Sequence, residues 1–210
     1  MDTCGENAGI ALSSGEEILA SEDLARGNAS AEILSAIRRL LNQQSWRLGD
    51  LDAIGVVRGP GSFTGVRAGL AAAKGLCEAT GLPLAAVSRL EVLSKAASLP
   101  DGIAALDAGR GEVYLRDGST SREWLCAAAD LATQCQGKVI AVAEARVADQ
   151  LGGCATIFHP LHAADSLKSV LRQLGDGGSD AALVDANYVR EELDIYRKPA
   201  VGPKRIGAMT

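Results

Sequence analysis

A glycine-rich bend set between two apolar runs constrains the fold of this chain more than any other feature. Residues 53–57 carry the β-branched Ile54, Val56 and Val57, which suit a buried strand. Gly59, Pro60 and Gly61 then force a tight loop, and Ser62 or Thr64 caps the helix that follows. Residues 64–80 read as helix, with Val66, Leu70, Ala73 and Cys77 close to one face. Ala68, Gly69, Ala71 and Ala72 keep its surface small, so another backbone can come near. Gly81 and Pro83 stop the helix, and LPLAAVS returns as a second buried strand. Strand, bend, helix and strand make one right-handed βαβ unit of an α/β layer.

Free N–H groups at a glycine-rich helix start form an anion site, so the bend admits a phosphate reading. The spacing fits it poorly. Gly61 and Gly65 are followed by Val66 and Arg67 where a Walker loop needs Lys and Ser or Thr, and Gly59, Gly61 and Gly65 miss the second interval of G-x-G-x-x-G. The preferred reading is a structural bend that orders the helix and presents Arg58, Phe63 and Arg67 to a partner.

RGPGSFTGVRAGLAAAKGL, together with the later LDAGRGEVY and the closing NYVR, resembles the TsaB family, bacterial partners of TsaD in making the threonylcarbamoyladenosine modification of tRNA. The resemblance implies two small α/β domains with the actin-like, sugar-kinase and Hsp70 ATPase fold. It also implies a non-catalytic scaffold that binds TsaD and supports threonylcarbamoyl transfer to N6 of adenosine 37. The family motif falls on Arg58, Gly59, Pro60, Gly61, Ser62, Phe63, Thr64, Gly65 and Arg67. The strand-turn motif brings Asp107, Arg110, Glu112 and Tyr114, and the last motif brings Tyr188 and Arg190, expected at the domain junction. A third protein, the ATPase TsaE, would engage the pair; ATP and a metal ion would belong to the partners, with no cofactor in the isolated chain.

In that family an aspartate-threonine pair ends a buried first strand, but here only Met1 precedes Asp2 and Thr3. We therefore expect the first strand to be incomplete or to begin upstream. Asp2 has two readings, a turn cap beside Thr3 or a weak magnesium-nucleotide ligand of the kind active relatives of the wider fold use. Asp107, before AGRG and the strand VYL, parallels Asp2 before CGENAG and IAL, as a duplicated unit would. An ATP-dependent kinase or ATPase of the same fold is the alternative function. A peptidase is less favoured, because neither His159 nor His162 has a nucleophile beside it in sequence.

The rest of the chain sets boundaries. Hydrophobic residues make up 47% and aromatics 3%, so the core must be built from Ala, Leu, Ile and Val. Five scattered cysteines without a C-x-x-C pair favour reduced thiols, and His159, His162 and Cys154 form no zinc pattern. No apolar run of about 18 residues and no signal segment are legible, which favours a cytoplasmic protein with no membrane contact. The formal charge of −5 leaves tRNA to be contacted mainly through partners.

Residues 28–42 read as helix, capped by Asn28 or Ser30, with Ile33, Ile37, Leu40 and Leu41 as a stripe that Leu34 widens. With the helix at 64–80 it offers a helical partner surface, where Ile33, Ile37, Leu70 and Lys74 are the expected contacts for TsaD or, in its absence, for a second copy. Pro100 and Gly102 divide residues 1–100 from a second unit at 101–198, followed by a mobile tail at 199–210 whose C-terminal part packs back on the first unit. Within the second unit, EWLCAAADLATQC reads as helix, VIAVAEA as strand, ARVADQLG as helix, and residues 164–174 as helix.

Overall fold

The computed structural model describes residues 1–25, 27–135, 137–151 and 154–189. It contains two α/β units. The first holds the hairpin β1 (Gly9–Ser14) and β2 (Glu17–Asp23), helix α1 (Ala29–Gln43), strand β3 (Ile54–Val57), helix α2 (Phe63–Thr80), strand β4 (Leu84–Val87) and helix α3 (Arg89–Ala96). The second holds β5 (Ile103–Gly109), β6 (Glu112–Asp117), β7 (Glu123–Ala127), α4 (Leu131–Gln134), β8 (Ile140–Val142), α5 (Ala145–Gln150) and β9 (Thr156–Phe158). Helix α6 (Leu167–Gly175) follows.

The βαβ expectation holds in detail. β3 and β4 pair in parallel from Ile54 opposite Leu84 to Val57 opposite Val87. The Ser62 hydroxyl, rather than that of Thr64, accepts from Gly65 N at 3.3 Å, and Gly81 closes α2 in the left-handed conformation at φ 72°. At α1 no cap comes from the Asn28 side chain; Glu32 reaches back instead and accepts from Ala25 N and Asn28 Nδ2.

The incomplete first strand survives as two residues. Met1 O accepts from Val57 N at 2.9 Å and the Met1 ammonium donates to Gly55 O at 2.8 Å, a parallel rung on β3. On the other side Asp2 and Gly9 exchange both backbone hydrogen bonds, an antiparallel rung on β1. The first unit thus reads β2, β1, Met1–Asp2, β3, β4. The second sheet has the order β7-β6-β5-β8-β9, with β5 antiparallel to β6 and parallel to β8. The two orders and directions match position for position, so Asp2 and Asp107 stand on equivalent strands. This is the duplication that the short aspartate-turn parallel hinted at, and the architecture is the actin-like, sugar-kinase and Hsp70 ATPase fold.

Two expectations are corrected. EWLCAAADLATQC is not a helix: residues 123–127 form β7, paired with β6 from Glu112 opposite Ala127 to Arg116 opposite Glu123, and only Leu131–Gln134 is α-helical. Pairing along an open sheet edge outweighs the helix preference of three alanines. The second unit also does not hold all of the span 101–198 expected for it. The helix expected at 164–174 begins as a 3₁₀ turn and becomes α6, which lies on β4 and β3 of the first unit. Val170 of α6 fills the space over Gly55, where a Cβ would stand 2.7 Å from its methyl group. Arg190 and the tail at 199–210 lie outside the described residues.

Three clusters make the core. One spans β3, β4, α2 and α3 and continues into Ala104 and Leu106 of β5, so α3 is packed between both sheets. A second fills the other face of β5, β6 and β8, and the third joins β1 to α1 through Ile10, Leu12, Ile33 and Leu40.

Candidate functional site

The glycine bend seats α2 against the residues after Met1. A Cβ on Gly65 would lie 1.9 Å from Thr3 O, and one on Gly61 would lie 2.3 Å from Cys4 O. Thr3 Oγ1 donates to Gly65 O at 2.6 Å, and Ser62 N donates to Cys4 O at 2.8 Å. The N–H groups of Ser62 and Gly65 are therefore already engaged, with Cys4 O and the Ser62 hydroxyl. The small-residue surface of α2 meets a backbone of its own chain, as close packing requires.

Between the two units lies a buried ion-pair lock. Arg89, the first residue of α3, donates from Nη1 to Glu144 Oε1 at 2.9 Å, and its Nε stands 4.0 Å from Asp2 Oδ2. A cation at a helix N-terminus opposes the helix dipole, and burial opposes its charge as well. The carboxylates of Asp2 and Glu144 outweigh that burial and push the guanidinium pKa up. Asp2 Oδ1 accepts from Cys4 N at 2.8 Å. Glu144 Oε2 accepts from Asp107 N at 3.3 Å, and Asp107 pairs with Arg146. Burial, followed by the nearby Asp2 charge, raises the Cys4 thiol well above its usual range, so it is a neutral core group.

The two equivalent aspartates are thus each turned toward an arginine. A magnesium ion needs carboxylate oxygens free to face it. Here Asp2 Oδ1 accepts from Cys4 N, and Asp2 Oδ2 faces the Arg89 Nε at 4.0 Å without a hydrogen bond between them. Sequence reasoning missed Arg89 and Glu144. The available signal was a charged residue directly after the buried run LPLAAVS, a placement that demands a partner.

The three motif stretches converge at one mouth of the junction. Arg67 Cζ sits 3.8 Å from the centroid of Phe63, and Arg67 Nε donates to Tyr188 OH at 3.1 Å. The Phe63 and Tyr188 rings are 6.3 Å apart and tilted by 33°. Phe63, Pro60, Arg110, Tyr114, Asn187 and Tyr188 line a cavity of about 190 Å³. Arg58 and Asn187 fix it from behind: Asn187 N donates to Arg58 O at 2.7 Å, while its side chain donates to Glu123 Oε2 at 2.7 Å. Ser88 Oγ and Arg116 Nη1 both donate to Glu123 Oε1, which ties bend, α3 start and β6–β7 edge together. Glu112 opens β6 opposite Ala127, and Thr64 is exposed on the first turn of α2. Neither Asn187 as a junction nor Glu123 was singled out from sequence, because their partners lie far along the chain.

The helical partner surface needs correction. Ile33 is 1% exposed and Leu70 6%, so both belong to the chain's own core and cannot stand at a seam. Ile37 and Lys74 remain partly exposed. Leu34, at 61% exposure, instead joins Ile37, Leu41, Trp46 and Leu76 around a groove of about 310 Å³ between α1 and α2.

Fold and junction define a two-unit α/β protein of the actin-like class whose strand-end aspartates each face an arginine. Residues 19–153 match the family model described as TsaD, tRNA N6-adenosine threonylcarbamoyltransferase; the chain belongs to this family, as a member similar to the TsaB proteins. It is 36% identical over 118 residues to the tRNA threonylcarbamoyladenosine biosynthesis protein TsaB of Escherichia coli K12, a match that covers 54% of this chain and 51% of that protein. To TsaB of Bacillus subtilis 168 it is 38% identical over 117 residues, with 54% and 51% covered. The chain thus spans about half the length of the curated relatives it matches. Among solved structures, YeaZ from Pseudomonas aeruginosa superposes with a TM-score of 0.73 at 27% identity, covering 89% of this chain and 96% of that one.

Proposed function

We propose that this chain is a non-catalytic subunit in the biosynthesis of threonylcarbamoyladenosine in tRNA, and that it binds the transferase TsaD and holds it in a competent conformation. The observation that carries the reading is the Asp2–Arg89–Glu144 lock, in which a buried arginine pairs with Glu144 at 2.9 Å and stands 4.0 Å from Asp2, a cation where a nucleotide-dependent relative would hold magnesium. The partner surface in this reading is the α1–α2 groove, where Leu34 is exposed and Ile37 partly exposed, with Lys74 of α2 as a further contact. Packing a helix pair of TsaD on it would form a four-helix contact, and a second copy of this chain would use the same groove when TsaD is absent. Stabilising one conformation of TsaD requires differential binding and no reacting atom from the scaffold. TsaE would engage the assembled pair, ATP and a metal ion would be used by the partners, and tRNA would be reached mainly through them. The compartment in this reading is the cytoplasm; no helix among the described residues is long and apolar enough to cross a membrane.

The test is co-purification with TsaD, followed by threonylcarbamoyl transfer assays with and without the chain. We expect transfer only with both proteins and none from the chain alone. Leu34→Glu should weaken binding to TsaD by several kcal/mol, from lost apolar burial at about 25 cal/mol per Å² plus desolvation of the charge. Parent-like affinity for a folded Leu34→Glu, measured by calorimetry, would remove the groove from the interface. Turnover by the chain alone that disappears on Asp2→Ala would sink the scaffold reading.

A further inference from the structure

A second cleft, of about 500 Å³, opens between α3, the β6–β7 turn and α6, away from the locked junction and the α1–α2 groove. Four cations line it, Lys95, Arg116, Lys168 and Arg172, against the single carboxylate of Glu91. On a chain of net charge −5 this is a local reversal of sign. Glu91 Oε1 accepts from Lys95 Nζ and from Arg172 Nη2, each at 2.8 Å, so one negative charge serves two cations. Burial resists ionisation of Glu91, yet those two cations hold its carboxyl below the usual range. Among the described residues Arg172 has one other carboxylate nearby, Asp176 at 3.9 Å, which is 69% exposed and screened by water. Arg116 is held by Glu123, a carboxylate shared with Ser88 and Asn187. The Lys168 ammonium carries no ion pair or hydrogen bond among the described residues, and the same holds for the hydroxyls of Ser98 and Ser121 on the rim.

We propose that this cleft binds the phosphate groups of an anionic ligand, with Lys168 and Arg172 as the main charge contacts from α6 and Lys95 facing them from α3. A carboxylate offers one charge and two oxygens, which Glu91 already supplies. The surplus of cations and rim hydroxyls matches a group with more charge and more acceptor oxygens, a phosphate or a linked pair of them. Such groups reach the cleft either as a free diphosphate, including that of a nucleotide, or as the backbone of an RNA. The chemistry of recognition is the same.

The experiment is calorimetric titration of the full chain with inorganic pyrophosphate, and a filter-binding titration with unfractionated tRNA, both at about 50 mM salt, where surface charge is little screened. Binding of pyrophosphate alone supports a free diphosphate as the source; binding of tRNA that pyrophosphate displaces supports the RNA backbone. In either arm Lys168→Glu should weaken binding about tenfold or more, the value of one lost charge-assisted contact, and Lys168→Gln somewhat less. Arg39→Glu, the same charge change on α1, should leave binding unaltered. Circular dichroism establishes that each variant is folded. Failure of both ligands to bind the parent chain would overturn the proposal, and so would equal losses in Lys168→Glu and Arg39→Glu, which would mean attraction to overall charge rather than to this cleft.

Discussion

Replacing Gly65 by alanine isolates what the glycine motif is for. The new Cβ would sit 1.9 Å from Thr3 O, whereas real Cβ contacts under 3.0 Å essentially never occur, so helix and strand residue must separate by about an ångström. The obstructing atom is backbone and cannot rotate away. Separation also stretches the Thr3 Oγ1 to Gly65 O hydrogen bond, now 2.6 Å, and the Ser62 N to Cys4 O bond, now 2.8 Å. Overpacking costs about 1–3 kcal/mol and each impaired hydrogen bond about 1 kcal/mol, against a gain of about 1 kcal/mol from the better helix propensity of alanine. The net expectation is a loss of about 2–4 kcal/mol, or a fall in Tm of roughly 4–16 °C for a chain of this size. Gly75, on the same helix, has nothing within 4 Å of a built Cβ. Gly75→Ala should therefore raise stability by about 1 kcal/mol. Urea unfolding of both variants, followed by far-ultraviolet circular dichroism and tryptophan fluorescence, gives the two signs directly. If Gly65→Ala is as stable as the parent, the close-packing account of the motif is wrong and its glycines must be explained by a ligand.

Two further outcomes follow from the charges. Arg89→Met leaves Asp2 and Glu144 buried without their cation and should cost about 3–5 kcal/mol, while adding Asp2→Asn and Glu144→Gln should restore much of it; a parent-like unfolding curve for Arg89→Met alone would dismiss the lock. Asp117 is held well below the usual carboxylate range, first by its hydrogen bond from Lys138 and next by that from Ser119. Its folded-state pKa is depressed, so its contribution is complete above the ordinary value of 3.8 and is lost as pH falls below it. Asp117→Asn should accordingly flatten the loss of Tm below about pH 4, and an acid limb identical to that of the parent would refute the pairing.

The local pieces were legible because their causes are local. The β-branched run at 54–57, the Ser62 cap, the Gly81 stop and the apolar spacing of Val66, Leu70, Ala73 and Cys77 each follow from backbone propensity or helical period, and all four appear as read. The structural half of the bend reading holds too, since G-x-x-x-G spacing at Gly61 and Gly65 puts two bare positions against the backbone of Cys4 and Thr3. The motif residues could be named from resemblance. Their convergence could not: Asn187 reaches Arg58 and Glu123 across more than sixty positions of sequence.

Tertiary structure decided the rest, for a physical reason common to each case. Helical period gives a stripe and its width but not the angle at which the stripe meets the sheet, so only packing of α1 on β1 could bury Ile33 and leave Leu34 to solvent. Residues 123–127 hold Trp124, Leu125 and Cys126 with a single alanine, so pairing on the open edge of β6 overrode the helix preference of the alanines that follow. Helix α6 is amphipathic wherever it lies, and the bare backbone of Gly55 beneath Val170 is what gives it a seat on the first unit. The ion-pair lock joins positions 2, 89 and 144, whose charges become partners only when two sheets of the same order face each other across α3. The sequence by itself determined the elements around the glycine bend and, through resemblance, the class of fold; the state of residues 123–127, which faces are buried, which charges are paired and which groove is left open depend on contacts between distant segments, and those exist only in the assembled structure.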